Sequence, residues 1–296
     1  MPINRIKHKK IFPLLVLIFL SSIWGSSFIL IKKGLLSFTP IQVAGLRIFF
    51  ASIVLLPISF KFIKSDFKLH WKQFVFLGLI SNLIPAFLIA VAQTKINSSL
   101  AGMLNSLTPI TTMIIGAIFF KTKFNAKLSL GLLTGLVGTM VLSFVSSNGN
   151  FGSFNFYVLF VIAITILYGF SGNIIKDFVK DVNPLVIVPL ELLAMMPIAI
   201  IVLLSSNIFH QIEIQKDAWF SLSAIFILAA GSSSFAGIIY IKLVDKTTAV
   251  FAAASTYLIP VVAIMWGLID NEALFPLHFL GVGLIIIGVL LVNKFR

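Results

Sequence analysis

The stretch Trp24-Gly25-Ser26-Ser27-Phe28-Ile29-Leu30-Ile31-Lys32 returns 144 positions later as Tyr168-Gly169-Phe170-Ser171-Gly172-Asn173-Ile174-Ile175-Lys176. The same offset carries Pro40 and Arg47 onto Pro184 and Glu191. Further along the spacing widens. Lys95, Ala101, Pro109 and Gly116 recur 151 places on as Lys246, Ala252, Pro260 and Gly267, and Leu130-Gly131 and Gly138 recur at 150 as Leu280-Gly281 and Gly288. The chain therefore reads as a tandem duplication, 11–146 and 154–294, with five long apolar segments in each copy. An odd number of crossings per copy sets the second copy upside down in a membrane. Inverted repeats with a site between them are the architecture of alternating-access transporters.

Composition places the chain in lipid. Of 296 residues, 59% are hydrophobic and 10% charged, with mean hydropathy +1.11; soluble domains hold roughly 45–50% apolar and about 25% charged residues. A spanning helix needs about 20 apolar residues, and ten such segments are expected: 11–31, 41–60, 73–93, 98–120, 128–146, 154–175, 184–205, 219–241, 248–269 and 276–293. The expected fold is an all-α polytopic membrane protein of ten transmembrane helices in two inverted five-helix repeats. The first segment is too long for a signal-peptide core and carries the repeat motif, so it counts as a span. The Gly-, Ser- and Asn-rich run 146–153 marks the joint between the copies.

The net charge of +13 is explained by topology, without nucleic acid. With the amino terminus inside, seventeen of the 22 basic residues fall at cytoplasmic ends of segments. Lys32, Lys33, Lys95 and Lys216 fall outside, and Arg47 lies within a span. The positive-inside rule then sets both termini in the cytoplasm of a plasma (inner) membrane.

Charges within spans are rare, because one at the bilayer centre costs about 2.5–3.5 kcal/mol and normally faces a cavity or a partner. Arg47 and Glu191 each lie seven residues past a segment-opening proline. One reading places both in a transport path, with Glu191 as a protonatable carboxylate that couples transport to protons. The other has each snorkel or pair locally, about 10 Å from its membrane surface at 1.5 Å per residue. Asn82 in the third segment, Asn105 before Pro109 in the fourth, Ser233 in the eighth and Tyr257 before Pro260 in the ninth are candidate binding groups. A mid-helix proline bends the helix and frees a carbonyl, which in lipid must face protein or a water-filled cavity. Pro109 and Pro260 are thus candidate gating positions. Trp24 with Ser27, and Tyr168 in the second copy, add an aromatic wall beside small polar groups. Gly131, Gly135 and Gly138, with Gly281, Gly283 and Gly288, form packing faces on the fifth and tenth segments, either internal or joining a homo-oligomer.

Taken together, Trp24-Gly25, Arg47, the Pro109 and Pro260 spans and the glycine-rich fifth and tenth segments resemble the EamA-type drug/metabolite transporters over nearly the whole chain. The resemblance implies export or exchange of small metabolites, notably amino acids, across a bacterial inner membrane, through a central cavity lined by both copies. A family glutamate at the start of the tenth span is matched by Glu272; the equivalent place in the first copy holds Lys121.

An enzyme is disfavoured. The four histidines fall at segment ends, there is no cysteine, and no metal-protease, nucleophile-elbow or Walker signature occurs. No metal or cofactor is expected. Neither charge rings nor a filter sequence mark a passive channel. Efflux of cationic drugs or quaternary ammonium compounds is the alternative within transport, with Glu191 as its carboxylate.

Overall fold

The computed structural model describes residues 3–122, 127–145 and 154–294, and among these the architecture is all-helical. The run 146–153, expected to join the copies, lies outside the described residues. In chain order the helices are α1 (Ile3–Gly34), α2 (Pro40–Phe62), α3 (Lys68–Gly78), α4 (Ile84–Ala92), α5 (Ser98–Asn105), α6 (Thr108–Phe119), α7 (Lys127–Ser143) and α8 (Tyr157–Phe178). They continue as α9 (Pro184–Ser205), α10 (Ile208–Ile214), α11 (Ala218–Leu228), α12 (Gly237–Lys246), α13 (Ala249–Ala253), α14 (Ile259–Ile269) and α15 (Pro276–Lys294).

Among the described residues, seven helical runs are long and apolar enough to cross a membrane, and Leu133–Leu142 and Pro276–Gly288 form shorter apolar helices. One of the seven, Pro40–Ala92, has 53 residues, far more than the roughly 20 a crossing needs. It is broken by a π-helical turn at Ile63–Phe67 and by His70, whose φ of −122° and ψ of 25° are not helical. Past that break the chain folds back, so that α4 packs on α2.

Local chemistry sets the helix starts. Thr39 and Gln42 form a reciprocal capping box with Pro40 in the first turn of α2. Asn183 caps α9 by accepting from the Leu185 N–H, again with a proline in the first turn. Such caps satisfy amide groups that the first turn leaves without helical partners.

Helices from the two halves pair closely. Along α2 and α9 contacts run in opposite order: a Cβ at Gly45 would meet Leu203, the Ser52 hydroxyl donates to the Leu192 carbonyl (2.9 Å), and that of Ser59 donates to Pro189 (2.9 Å). The pair is antiparallel. So are α7 and α15, where a Cβ at Gly138 would lie 2.6 Å from the Gly281 carbonyl and one at Gly288 would lie 2.5 Å from that of Gly131. Gly138 with Gly281 and Gly131 with Gly288 thus meet within the chain, whereas a Cβ on Gly135 would meet Ile110 of α6 and one on Gly283 would meet nothing within 4 Å. A third correspondence links α1 to α14 and α8 to α6. A Cβ on Gly25 would fall 2.5 Å from Val262, and one on its counterpart Gly169 would fall 2.7 Å from Ile115 and 3.1 Å from the Thr111 backbone.

Irregularities also come in matched places. π-Helical turns occupy Leu79–Leu83, between α3 and α4, and Ala229–Ala236, between α11 and α12. The fourth segment breaks between Asn105 and Thr108, and the ninth passes through a 3-10 turn at Ala254–Leu258. Such departures from α geometry expose backbone polar groups and are frequent at functional sites.

Candidate functional site

The four irregular stretches surround one cavity of about 140 Å³. A water needs roughly 10–15 Å³ of such space, so the cavity holds on the order of ten waters or one small solute. Its polar lining from the first half includes Trp24, Ser27, Arg47, Ser81, Asn82, Asn105 and Thr108. From the second half come Tyr168, Ser171, Glu191, Ser232, Ser233, Tyr240 and Thr256. Phe28, Ile31, Ile89, Ile164, Ile175, Val188 and Ile241 complete it with apolar wall.

Glu191 is 1% exposed. Its Oε2 accepts from the Asn82 amide at 2.9 Å, whereas Oε1 is buried with no hydrogen-bond partner among the described residues. Arg47 donates from Nε to the Ser233 hydroxyl at 2.9 Å. No ion pair joins Arg47 to Glu191 among the described residues, so the two charges stand separately in one cavity. Trp24 donates from Nε1 to the Ser232 carbonyl at 3.3 Å and meets Tyr240 edge-on at 5.4 Å between ring centres.

The mid-segment breaks keep their backbone satisfied. Pro109 deprives the Asn105 carbonyl of its helical donor, and the Thr108 hydroxyl donates to that carbonyl at 2.7 Å. Pro109 and Pro260 are buried in the breaks but do not line the cavity. Of the candidate binding residues, Trp24, Ser27, Asn82, Asn105, Tyr168 and Ser233 line the cavity together with Arg47 and Glu191. Tyr257 does not; it is half-buried against core side chains, while its neighbour Thr256 in the 3-10 turn lines the cavity. Tyr240 was not singled out from the sequence. Its signal is helical spacing, for it lies one and two turns beyond Gly237 and Ser233 on the face that lines the cavity.

A second polar cluster lies at the ends of α1 and α14. Glu272 accepts from Lys32 (2.8 Å), from the Ser98 N–H and hydroxyl (3.0 and 2.6 Å) and from the Ser99 N–H and hydroxyl (3.0 and 2.5 Å). A carboxylate at the start of α5 meets the positive end of the helix dipole. Asp270 pairs with Lys32 at 2.6 Å and with Lys33. Burial alone would raise both carboxyl groups, but hydrogen bonds from Lys32 and the serines to Glu272, and from Lys32 and Lys33 to Asp270, outweigh it and hold both below the ordinary carboxylate range. The corresponding place in the first half holds Lys121, in a left-handed conformation with φ 54°.

The sequence model described as the EamA-like transporter family matches residues 11–144 and 155–294. The chain is 25% identical over 295 residues to "Uncharacterized inner membrane transporter YedA" of Escherichia coli K12, covering 97% of this chain and 92% of that protein. It is 25% identical over 173 residues to a "Probable amino-acid metabolite efflux pump" of Salmonella typhimurium, covering 55% of this chain and 52% of the relative. A solved structure described as "Crystal structure of protein" shares the fold, with a TM-score of 0.63 over 95% of this chain and 96% of that one at 16% identity.

Proposed function

This chain belongs to the EamA-like transporter family, and from that premise we propose that it exports or exchanges amino acids or related small metabolites by alternating access. Two inverted five-helix repeats, 11–146 and 154–294, carry ten spans with both termini in the cytoplasm of the inner membrane. In this reading Pro40–Ala92 makes two crossings, and α7 and α15 each make one. The antiparallel α2–α9 and α7–α15 pairs and the matched Gly25 and Gly169 contacts support it.

The observation that carries the substrate class is the unpaired state of two opposite charges in one small cavity. The guanidinium of Arg47, bonded through Nε alone among the described residues, offers its remaining N–H groups to a carboxylate. Oε1 of Glu191 offers a free acceptor to an ammonium. Trp24, Tyr168 and Tyr240 supply apolar faces between them for a side chain. Glu191 doubles as the coupling group: protonated it releases an ammonium, and ionised it holds one. The Salmonella relative's name supports the same class.

Efflux of organic cations is the second reading, favoured by a free carboxylate oxygen beside aromatic rings, which attract cations. Arg47 in the same cavity repels such a ligand and weighs against it. Uptake and counterflow of labelled amino acids and of tetraphenylphosphonium into proteoliposomes, with and without a proton gradient, separates the two. Amino-acid transport is expected; transport of the cation alone contradicts the proposal.

A further inference from the structure

A groove of about 340 Å³ opens on the outside of the helix bundle between α1 and α11. Its rim is apolar and exposed on the outside of the bundle, with Phe19 50% and Ile227 59% exposed. Its floor is polar. Ser27 and Ser232 line both this groove and the central cavity, so these two residues, with the Trp24 Nε1 to Ser232 carbonyl bond beside them, are what stands between the two spaces. Ser232 is 5% exposed, and its hydroxyl makes no hydrogen bond among the described residues. The Ser27 hydroxyl bonds back to its own helix, to the Ile23 carbonyl at 3.1 Å.

The matching seam in the other half, between α8 and the third segment, is bridged by side chains. There Ser81 and Ser171, the counterparts of Ser232 and Ser27, hydrogen-bond to each other at 2.7 Å. The difference is written into the sequence as well as the geometry. Gly231 corresponds to Ile80, which is buried, and Ser26 and Ser22 correspond to Phe170 and Ile166. A Cβ on Gly231 would meet one atom, Ile23 Cγ2 at 3.8 Å, so nothing fills the seam at that point.

We propose that the α1–α11 seam is a lateral window, through which the alkyl tail of an amphiphilic solute lies in the bilayer core while its zwitterionic head occupies the central cavity. The gradient from an apolar rim to serine hydroxyls, that of Ser232 without a partner among the described residues, suits a molecule with one tail and one polar end. The inference rests on the central cavity being the substrate site.

The test uses the full-length protein in lipid nanodiscs and a homologous series of 2-aminoalkanoic acids of four to twelve carbons, with binding measured by equilibrium dialysis against protein-free discs. A buried methylene strengthens binding up to about fourfold, so affinity is expected to climb with chain length. Gly231→Phe fills the groove and should weaken the ten-carbon member more than tenfold, with the four-carbon member held within twofold. Ser26→Phe, which copies the bridged seam, provides an independent filling of the same groove should Gly231→Phe not yield monodisperse protein. Equal chain-length dependence in the unaltered and filled proteins overturns the window. So does a flat profile in the unaltered protein, the outcome if bilayer lipid or a second copy of the chain occupies the groove. If no member binds the unaltered protein at any length, the substrate-site reading fails and takes the window with it.

Discussion

The Asn82 amide donates to Glu191 Oε2 at 2.9 Å, joining the two halves of the chain across the cavity and leaving Oε1 of the same carboxylate buried and without a partner among the described residues. A carboxylate held on one side and free on the other can accept a proton or an ammonium without losing its place. Glu191→Gln keeps the shape and can no longer ionise. Gradient-driven accumulation in proteoliposomes is expected to vanish while exchange of internal for external substrate persists. Accumulation by the Gln variant would make Glu191 structural.

Asn82→Leu and Asn105→Leu remove cavity amides and are expected to lower transport by at least about tenfold, equivalent to about 1.4 kcal/mol of lost interaction, with membrane abundance near normal. Tyr257→Ala removes packing outside the cavity; it is expected to lower abundance and activity together. Transport assays normalised to immunoblot abundance separate the two patterns.

The Glu272 cluster ties the end of α1 and the start of α5 to the loop after α14. Glu272→Ala leaves Lys32 with Asp270 alone and strands two serine N–H groups, a loss of about 1.5–3 kcal/mol for hydrogen bonds to a charged group. Because folding lowers the Glu272 and Asp270 carboxyls, their contribution is complete above the ordinary carboxylate value of about 4.3 and is lost as pH falls through the lower folded value. Thermal unfolding in detergent between neutral and acidic pH should show the unaltered protein losing stability below that range, and Glu272→Ala losing less. Parallel curves would contradict the role given to these carboxylates.

The proposed topology is checked by single cysteines in this cysteine-free chain. Glu213→Cys should react with an impermeant maleimide in intact cells and Ser65→Cys should not, both positions being exposed. Labelling of Ser65→Cys from outside would reverse the orientation.

Much of this was legible in the sequence because lipid leaves few options. Apolar length fixes where helices lie, and segment 184–205 coincides with α9. Rare polar residues within spans mark a cavity, and Asn82, Asn105, Arg47 and Glu191 all line it. Side-chain rotation was not legible. The 3-10 turn that holds Thr256 and Tyr257 and the π-helical turns that hold Ser81 and Ser232 change the rotation per residue about the helix axis, and hydrophobic periodicity is blind to shifts so small. Nor does pattern reveal which partner a buried charge takes. Glu272 finds Lys32 and the start of α5, and Arg47 finds Ser233 instead of an acid.

The central claim is that solute crosses through the cavity between the two halves. Ser233→Cys changes a single atom there and leaves the rest of the lining in place. Treating proteoliposomes that carry it with a positively charged methanethiosulfonate is expected to abolish amino-acid counterflow, and an excess of the transported amino acid should slow the inactivation. Complete modification of the cysteine with counterflow unchanged would contradict the claim.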